Sequence, residues 1–135
     1  MISLSSVINA TMAAHLSASP VSGDYIVDIR FKSNFGQTYS VIANCDHRKE
    51  CNVKFGDHFV VGILPFRDSY DLSLEYLGDD PNLVRCCQFF NGRPHATIAA
   101  TSETQKLVVK NTTPRDLAYH PSEILGELSI NFRRR

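Results

Sequence analysis

The chain has 135 residues, and its 14 basic and 14 acidic side chains give a formal net charge of zero. This length suits one compact domain, and 43% hydrophobic residues are too many for an intrinsically disordered protein. The neutral balance argues against a strongly basic nucleic-acid-binding domain, and no apolar run reaches the roughly 18 residues of a membrane-spanning helix.

Residues 1–23 are predicted to form a segment distinct from the rest of the chain. No charged residue occurs before Asp24, and Leu4, Ile8, Met12 and Leu16 recur at a spacing of four. This spacing predicts one short amphipathic helix, with a flexible arm that orders on a partner as the alternative. Residues 24–135 then form a single β-rich domain.

From Asp24 the apolar residues alternate with polar ones, which is typical of half-buried strands. Strands at 24–31 and 39–43 surround the turn Ser33–Gly36 and predict a hairpin. Residues 44–52 are polar and predict a loop. The continuous apolar run Phe59–Leu64 predicts a strand at the centre of a sheet, ended by Pro65.

The second half of the chain continues this pattern. Strands are predicted at 70–76, 83–90, 95–100, 106–110 and 128–132. Asn91-Gly92 is a strong hairpin signal, because both residues tolerate positive φ, and it predicts that the strands on either side pair. About seven or eight short strands in all predict a mainly β fold, an antiparallel β-sandwich or barrel.

The four cysteines are predicted to be free thiols, because no signal-peptide pattern precedes them and a reducing compartment follows as the default. Cys45, His47 and Cys51 are the side-chain types that bind zinc. Their spacing differs from the tight pair of cysteines, two residues apart, that encloses one ion. A charged surface loop is the favoured interpretation of residues 45–51, with a zinc site and a Cys45–Cys51 disulfide as alternatives.

Evidence for catalysis is sparse. Cys87 and His95 would be neighbours across the predicted Asn91-Gly92 hairpin, which is the one arrangement that could support a nucleophile. No phosphate-binding loop, nucleophile elbow or zinc-protease motif occurs. The prediction is therefore a protein that is not an enzyme and uses no cofactor or metal.

Arginine makes up nine of the 14 basic residues and is the side chain that binds phosphates and carboxylates bidentately. The candidate residues for binding a nucleic acid or another anion are Arg30, Arg85, Arg93, Arg133, Arg134 and Arg135. Several aromatic residues lie on or beside the same predicted strands: Phe31, Phe35, Tyr39, Phe89 and Phe90. Together they offer an alternative function, single-stranded nucleic-acid binding on an aromatic and arginine platform.

Two segments, Val27-Asp28-Ile29-Arg30-Phe31 and Asp57–Pro65, resemble in order and spacing the core strands of small matrix proteins of negative-strand RNA viruses, the bornavirus type in particular. The resemblance covers about 14 residues. It implies a β-sandwich that oligomerises under a membrane and contacts the nucleocapsid or RNA. The zero net charge departs from the basic surface of that family, and no functional residue is carried over.

These observations favour a non-enzymatic β-domain that binds and self-assembles, a viral structural or matrix-like protein. Its expected partners are further copies of itself and an anionic surface, either RNA or a membrane, with no small-molecule substrate evident. The expected location is intracellular, in the host cytoplasm if the protein is viral, or in the virion.

Overall fold

The structure is a computed structural model that describes residues 23–83, 86–111 and 123–134. The described strands are β1 (Tyr25–Ser33), β2 (Thr38–Cys45), β3 (Cys51–Phe55), β4 (Phe59–Phe66), β5 (Ser69–Tyr76), β6 (Gln88–Phe89), β7 (His95–Ala99), β8 (Gln105–Lys110) and β9 (Ile124–Arg134). A single turn of 3₁₀ helix covers Pro81–Leu83.

The strands form two antiparallel sheets. Sheet A has the order β2-β1-β9-β8-β6, and sheet B has the order β3-β4-β5-β7. The predicted β-sandwich is confirmed, and the barrel alternative is not, because the two sheets share no ladder among the described residues.

The alternation predicted for the first strand is realised in β1. Tyr25, Val27, Ile29 and Phe31 are almost fully buried, while the intervening residues face outward. β9 pairs with the whole length of β1. This pairing places Leu128, Ile130 and Phe132 of β9 on the same inner face. Burial of these side chains against sheet B supplies the main stabilisation of the sandwich, at roughly 1.5–3 kcal/mol for each large apolar side chain.

Aromatic side chains join the sheets at both ends of the core. At one end the rings of Tyr70 and Phe132 stack with centroids 3.7 Å apart, and Tyr25 packs against both. At the other end Phe31 of sheet A contacts Phe55 and Phe59 of sheet B. Six aromatic side chains therefore connect the two layers.

Three details differ from the predictions around β3 and β4. The predicted loop 44–52 is shorter, because Cys45 still belongs to β2 and Cys51 begins the unpredicted strand β3. Pro65 does not end β4, which continues to Phe66. The missing Pro65 amide hydrogen is tolerated because the β3 ladder stops at the Cys51–Ile63 pair, so no described strand lies beside Pro65 on that side.

The predicted hairpin at Asn91-Gly92 is wrong as a strand pairing. Gly92 does adopt a positive φ of 78°, and its amide donates to the Phe89 carbonyl, so the turn itself forms. However, β6 pairs with β8 in sheet A while β7 pairs with β5 in sheet B. The turn carries the chain from one sheet to the other, and the predicted strand 83–90 is reduced to β6 among the described residues.

The predicted helix or arm, and nearly all of the segment 1–23, lies outside the described residues. No helix among residues 23–83, 86–111 and 123–134 has the length and apolar character needed to cross a membrane.

Candidate nucleic-acid interface

The candidate site is the outer face of sheet A, formed by the outward side chains of β1, β9 and β8. Strand alternation places Asp28, Arg30 and Lys32 of β1 on this face because their neighbours point into the core. The same rule places the outward residues of the other strands here: Glu127, Ser129, Asn131 and Arg133 of β9, and Lys106 and Val108 of β8.

An open depression of about 430 Å³ lies on this face. Its lining residues are Asp28, Arg30, Thr104, Ser129, Asn131 and Arg133. The register of β1 and β9 sets Arg30 opposite Ser129, and Asp28 opposite Asn131. Arg30 and Arg133, both predicted as anion-binding residues, therefore lie on either side of the Asp28–Asn131 pair and line the same depression.

Asn131 helps to shape this depression. Its side-chain amide donates to the Ser102 carbonyl at 2.9 Å and approaches the Thr104 hydroxyl at 3.4 Å. These contacts hold the segment that precedes β8 against β9. Thr104 and Ser129 then present hydroxyl groups beside the two guanidinium groups, and hydroxyl and guanidinium donors are the groups that bind phosphate oxygens.

The charges on this face are not neutralised by ion pairs. Within the described part of the chain, neither Arg30 nor Arg133 has a carboxylate within 4.0 Å. The basic residues Arg30, Lys32, Lys106 and Arg133 outnumber the acidic residues Asp28 and Glu127. Sheet B differs, because the outward residues of β5 include Asp71 and Glu75. A chain of zero net charge thus has a face that is locally basic.

A second depression of about 440 Å³ adjoins the hairpin end of the same face. Lys32, Val108 and Glu127 line it from the three strands, and Ser33, Asn34 and Gly36 line it from the β1–β2 turn. The outer face of sheet A is therefore hollowed along its length.

The other predicted arginines are not gathered at this site. Arg93 lies in the turn between β6 and β7, at the opposite edge of sheet A from β2. Arg134 follows Arg133 on β9 and therefore points to the other side of the strand, near Tyr70, whose pKa it lowers slightly against a larger rise caused by burial. Arg85 and Arg135 lie outside the described residues.

The predicted aromatic platform does not form as a unit. Phe31 and Phe89 are buried in the core, and Tyr39 is half-buried. Phe35 and Phe90 are exposed, at 77% and 76%, but they lie on separate turns, and the Lys110 ammonium lies 5.7 Å from the Phe90 ring centroid. The strand alternation that made these residues conspicuous also turns Phe31 and Phe89 inward, where no base can stack on them.

The prediction of free thiols is wrong for Cys45 and Cys51. Cys45 and Cys51 form a disulfide with their Cα atoms 5.5 Å apart, a usual separation for this bond. The bond forms because the end of β2 in sheet A meets the start of β3 in sheet B.

The Cys45–Cys51 disulfide tests the zinc hypothesis, and the strand pairing tests the hypothesis of a Cys87 nucleophile. The disulfide occupies both thiols that the zinc alternative required. Cys87 is buried, whereas His95 is exposed on β7 and pairs with Ser73 of β5. The Cys87–His95 arrangement is therefore not formed, because β6 and β7 enter different sheets.

His47 instead joins an ionic cluster with Asp24 and Asp46, whose ligand atoms all lie within 4.8 Å of one another. Arg48 binds both carboxylate oxygens of Asp46, at 3.1 Å and 3.0 Å, and also donates its backbone amide. These hydrogen bonds hold the pKa of Asp46 well below its usual range. Within the cluster, Asp46 and Arg48 form a two-point ion pair.

Residues that the sequence analysis missed at the candidate site are Lys32, Lys106, Thr104, Ser129 and Asn131. The outward positions of Ser129 and Asn131 follow from the alternation of β9. The pairing of β9 with β1 brings Ser129 and Asn131 near Arg30. No short sequence pattern in either strand predicts that pairing.

No family model, curated protein or solved structure matches the chain.

Proposed function

We propose that the chain is a non-enzymatic binding and self-assembling β-domain that contacts the phosphates of a single-stranded nucleic acid through the outer face of sheet A. The observation that carries the proposal is that Arg30 and Arg133, from strands far apart in sequence, line one depression. A matrix-like role, in which an oligomer contacts RNA, belongs to the same proposal.

The composition of the depression supports phosphate binding in preference to membrane binding. Guanidinium groups and hydroxyl groups surround a hollow, and such donors suit individual phosphate oxygens. A membrane surface is better matched by exposed lysine clusters beside apolar side chains that enter the lipid interface. The carboxylate of Asp28 lines the same depression and weakens its positive potential.

The interaction is expected to be independent of base sequence. None of the described residues that line the depression is aromatic, so we expect stacking on bases to contribute little there. Affinity would then depend on phosphate neutralisation and would fall steeply with salt concentration, because each phosphate contact releases a counterion.

Charge reversal on this face tests the proposal. We expect the R30E/R133E variant to bind a fluorescein-labelled oligouridylate at least about tenfold more weakly than the wild type, because two cations are replaced by anions. With the neutral variants R30Q and R133Q, the slope of log affinity against log salt should fall by about 1 for each arginine. Fluorescence anisotropy between low and high salt measures both quantities.

Arg93→Glu is the matched control, since it makes the same charge change on an exposed turn away from the face. Equal losses of affinity in R93E and in R30E would contradict a localised interface. Binding of the wild type to anionic phospholipid vesicles, with none to the oligonucleotide, would overturn the assignment to nucleic acid.

A further inference from the structure

We infer that β2 is the self-association surface, and that it pairs antiparallel with β2 of a second copy so that two A sheets become one continuous sheet. β2 is the outermost strand of sheet A, with β1 as its neighbour among the described strands. This inference deepens the self-association part of the proposed function by naming its interface and symmetry.

β2 lacks the features that normally prevent sheet edges from pairing. Exposed edges are usually short, bulged, charged or interrupted by proline. The eight residues of β2 contain no charged residue and no proline, and its register with β1 runs without a break from Thr38 to Cys45. The other edges are protected: β3 carries Lys54, β6 has two residues, and Pro94 directly precedes β7.

The turn geometry shows which backbone groups of β2 point away from the sheet. The Ser33 amide donates to the Gln37 carbonyl at 2.7 Å, so Ser33 and Gln37 form a hydrogen-bonded pair. Such pairs alternate along an antiparallel ladder, which assigns Tyr39, Val41 and Ala43 to bonds with β1. The amide and carbonyl groups of Ser40, Ile42 and Asn44 therefore face outward from the edge.

A second copy of this strand fits these groups. In a two-fold antiparallel pair centred on Ile42, Ile42 lies opposite Ile42 of the partner, and Ser40 lies opposite the partner's Asn44. This register joins outward-facing backbone groups and keeps the inner and outer faces aligned. Identical residues meet at a two-fold axis, and like charges directly opposite each other would destabilise the pair. The absence of charged residues in β2 therefore suits this symmetry.

The pairing would also cover an exposed apolar side chain. Ile42 is 63% exposed although it lies at the middle of a strand. Since β1 is adjacent to β2, the paired sheet would place the outer faces of sheet A from both copies, each with its Arg30, side by side. A dimer would then present two basic depressions to one polyanion, which raises affinity through effective concentration.

Disulfide trapping tests the register. Hydrogen-bonded residues across an antiparallel pair have Cα atoms about 5.5 Å apart, a separation suited to a disulfide. We expect I42C to give a covalent dimer under mild oxidation, seen on a non-reducing gel. T38C is the matched control on the same strand: residue 38 lies far from its own copy in this register, so T38C should remain monomeric. Equal cross-linking of both variants would overturn the register.

Solution mass tests the interface itself. By light scattering, the wild type should have twice the chain mass of 15.1 kDa, and I42K and S40P should return to a single chain. I42K places like charges at the axis, and S40P removes an outward amide without removing a bond to β1. N52K, an exposed change on the β3 edge of the other sheet, should leave the mass unchanged.

The outcomes separate this inference from the rest of the proposed function. A wild-type oligomer that persists in I42K and S40P would refute the β2 interface and leave self-association intact. A monomeric wild type at high concentration would refute both. Oligonucleotide binding by I42K, weakened only through loss of avidity, would show that the basic face acts independently of the β2 edge.

Discussion

Tyr25 has a buried polar group in an unfavourable environment. The side chain is buried between Tyr70 and Phe132, and its hydroxyl has no hydrogen-bond partner among the described residues. A buried hydroxyl without a partner costs about 1–3 kcal/mol of desolvation. The ring is needed to join the sheets, but the hydroxyl is not.

We therefore expect Tyr25→Phe to stabilise the fold by about 1 kcal/mol, because the ring packing stays and the desolvation cost is removed. Urea unfolding followed by circular dichroism measures the change. Tyr39→Phe is the control, since the Tyr39 hydroxyl donates to the Gln37 side chain at 2.7 Å. The idea fails if Y25F is less stable than the wild type.

The two buried tyrosines also predict how stability depends on alkaline pH. Burial raises the pKa of Tyr70 to about 12, and it raises the pKa of Tyr25 further. The unfolded phenols ionise near pH 10, while the folded ones stay neutral, so their contribution to stability is complete below pH 10. Above pH 10 the unfolded state gains charge first, and stability falls.

The expected loss at Tyr70 alone is about 2 kcal/mol by pH 12. Denaturant unfolding from pH 8 to pH 12 measures it, and Tyr70→Phe should flatten the profile. A profile in Y70F that falls as steeply as in the wild type would assign the alkaline loss to other groups.

At the scale of elements, the Cys45–Cys51 bond ties the β2 edge of sheet A to the β3 edge of sheet B. A cross-link over so short a loop stabilises by restricting the unfolded chain, by about 2 kcal/mol on the chain-entropy model. We expect C45A/C51A to lose roughly this amount in urea unfolding. The wild type under reducing conditions should approach the variant, and a variant as stable as the oxidised wild type would contradict the expectation.

The elements that could be predicted from the sequence are those with a local pattern. β1, β5 and β9 were recognised because period-two alternation reports which side chains face the core. The partner of each strand is a different matter. Asn91-Gly92 encodes a turn, but it does not determine which sheets β6 and β7 join. Their strand partners depend on the packing of the whole sandwich.

At the candidate site, too, residue types could be predicted from the sequence, whereas the grouping of those residues in space could not. Arg30 and Arg133 were proposed from residue type alone, and both lie on the basic face. Arg93 and Arg134 were proposed on the same grounds and lie elsewhere. The difference is set by the pairing of β1 with β9, a contact between distant segments that leaves no signal in either one.

At the scale of the whole molecule, the outer face of sheet A is locally basic although the chain is neutral in total. Sheet B carries charges of both signs at outward positions, with Lys54 on β3 and Asp71 and Glu75 on β5. Neutral composition therefore does not exclude a polyanion partner.

The position of β9 in sheet A has a consequence for synthesis on the ribosome. β9 lies between β1 and β8, and the Asn34 side chain bonds to the Ile124 carbonyl across 90 residues of sequence. The β1–β2 hairpin is translated well before β9, the other neighbour of β1, because about 90 residues of sequence separate them. Until β9 has been translated, the edge of β1 lacks its partner strand, and we expect nascent chains to be most prone to pair with one another in that interval.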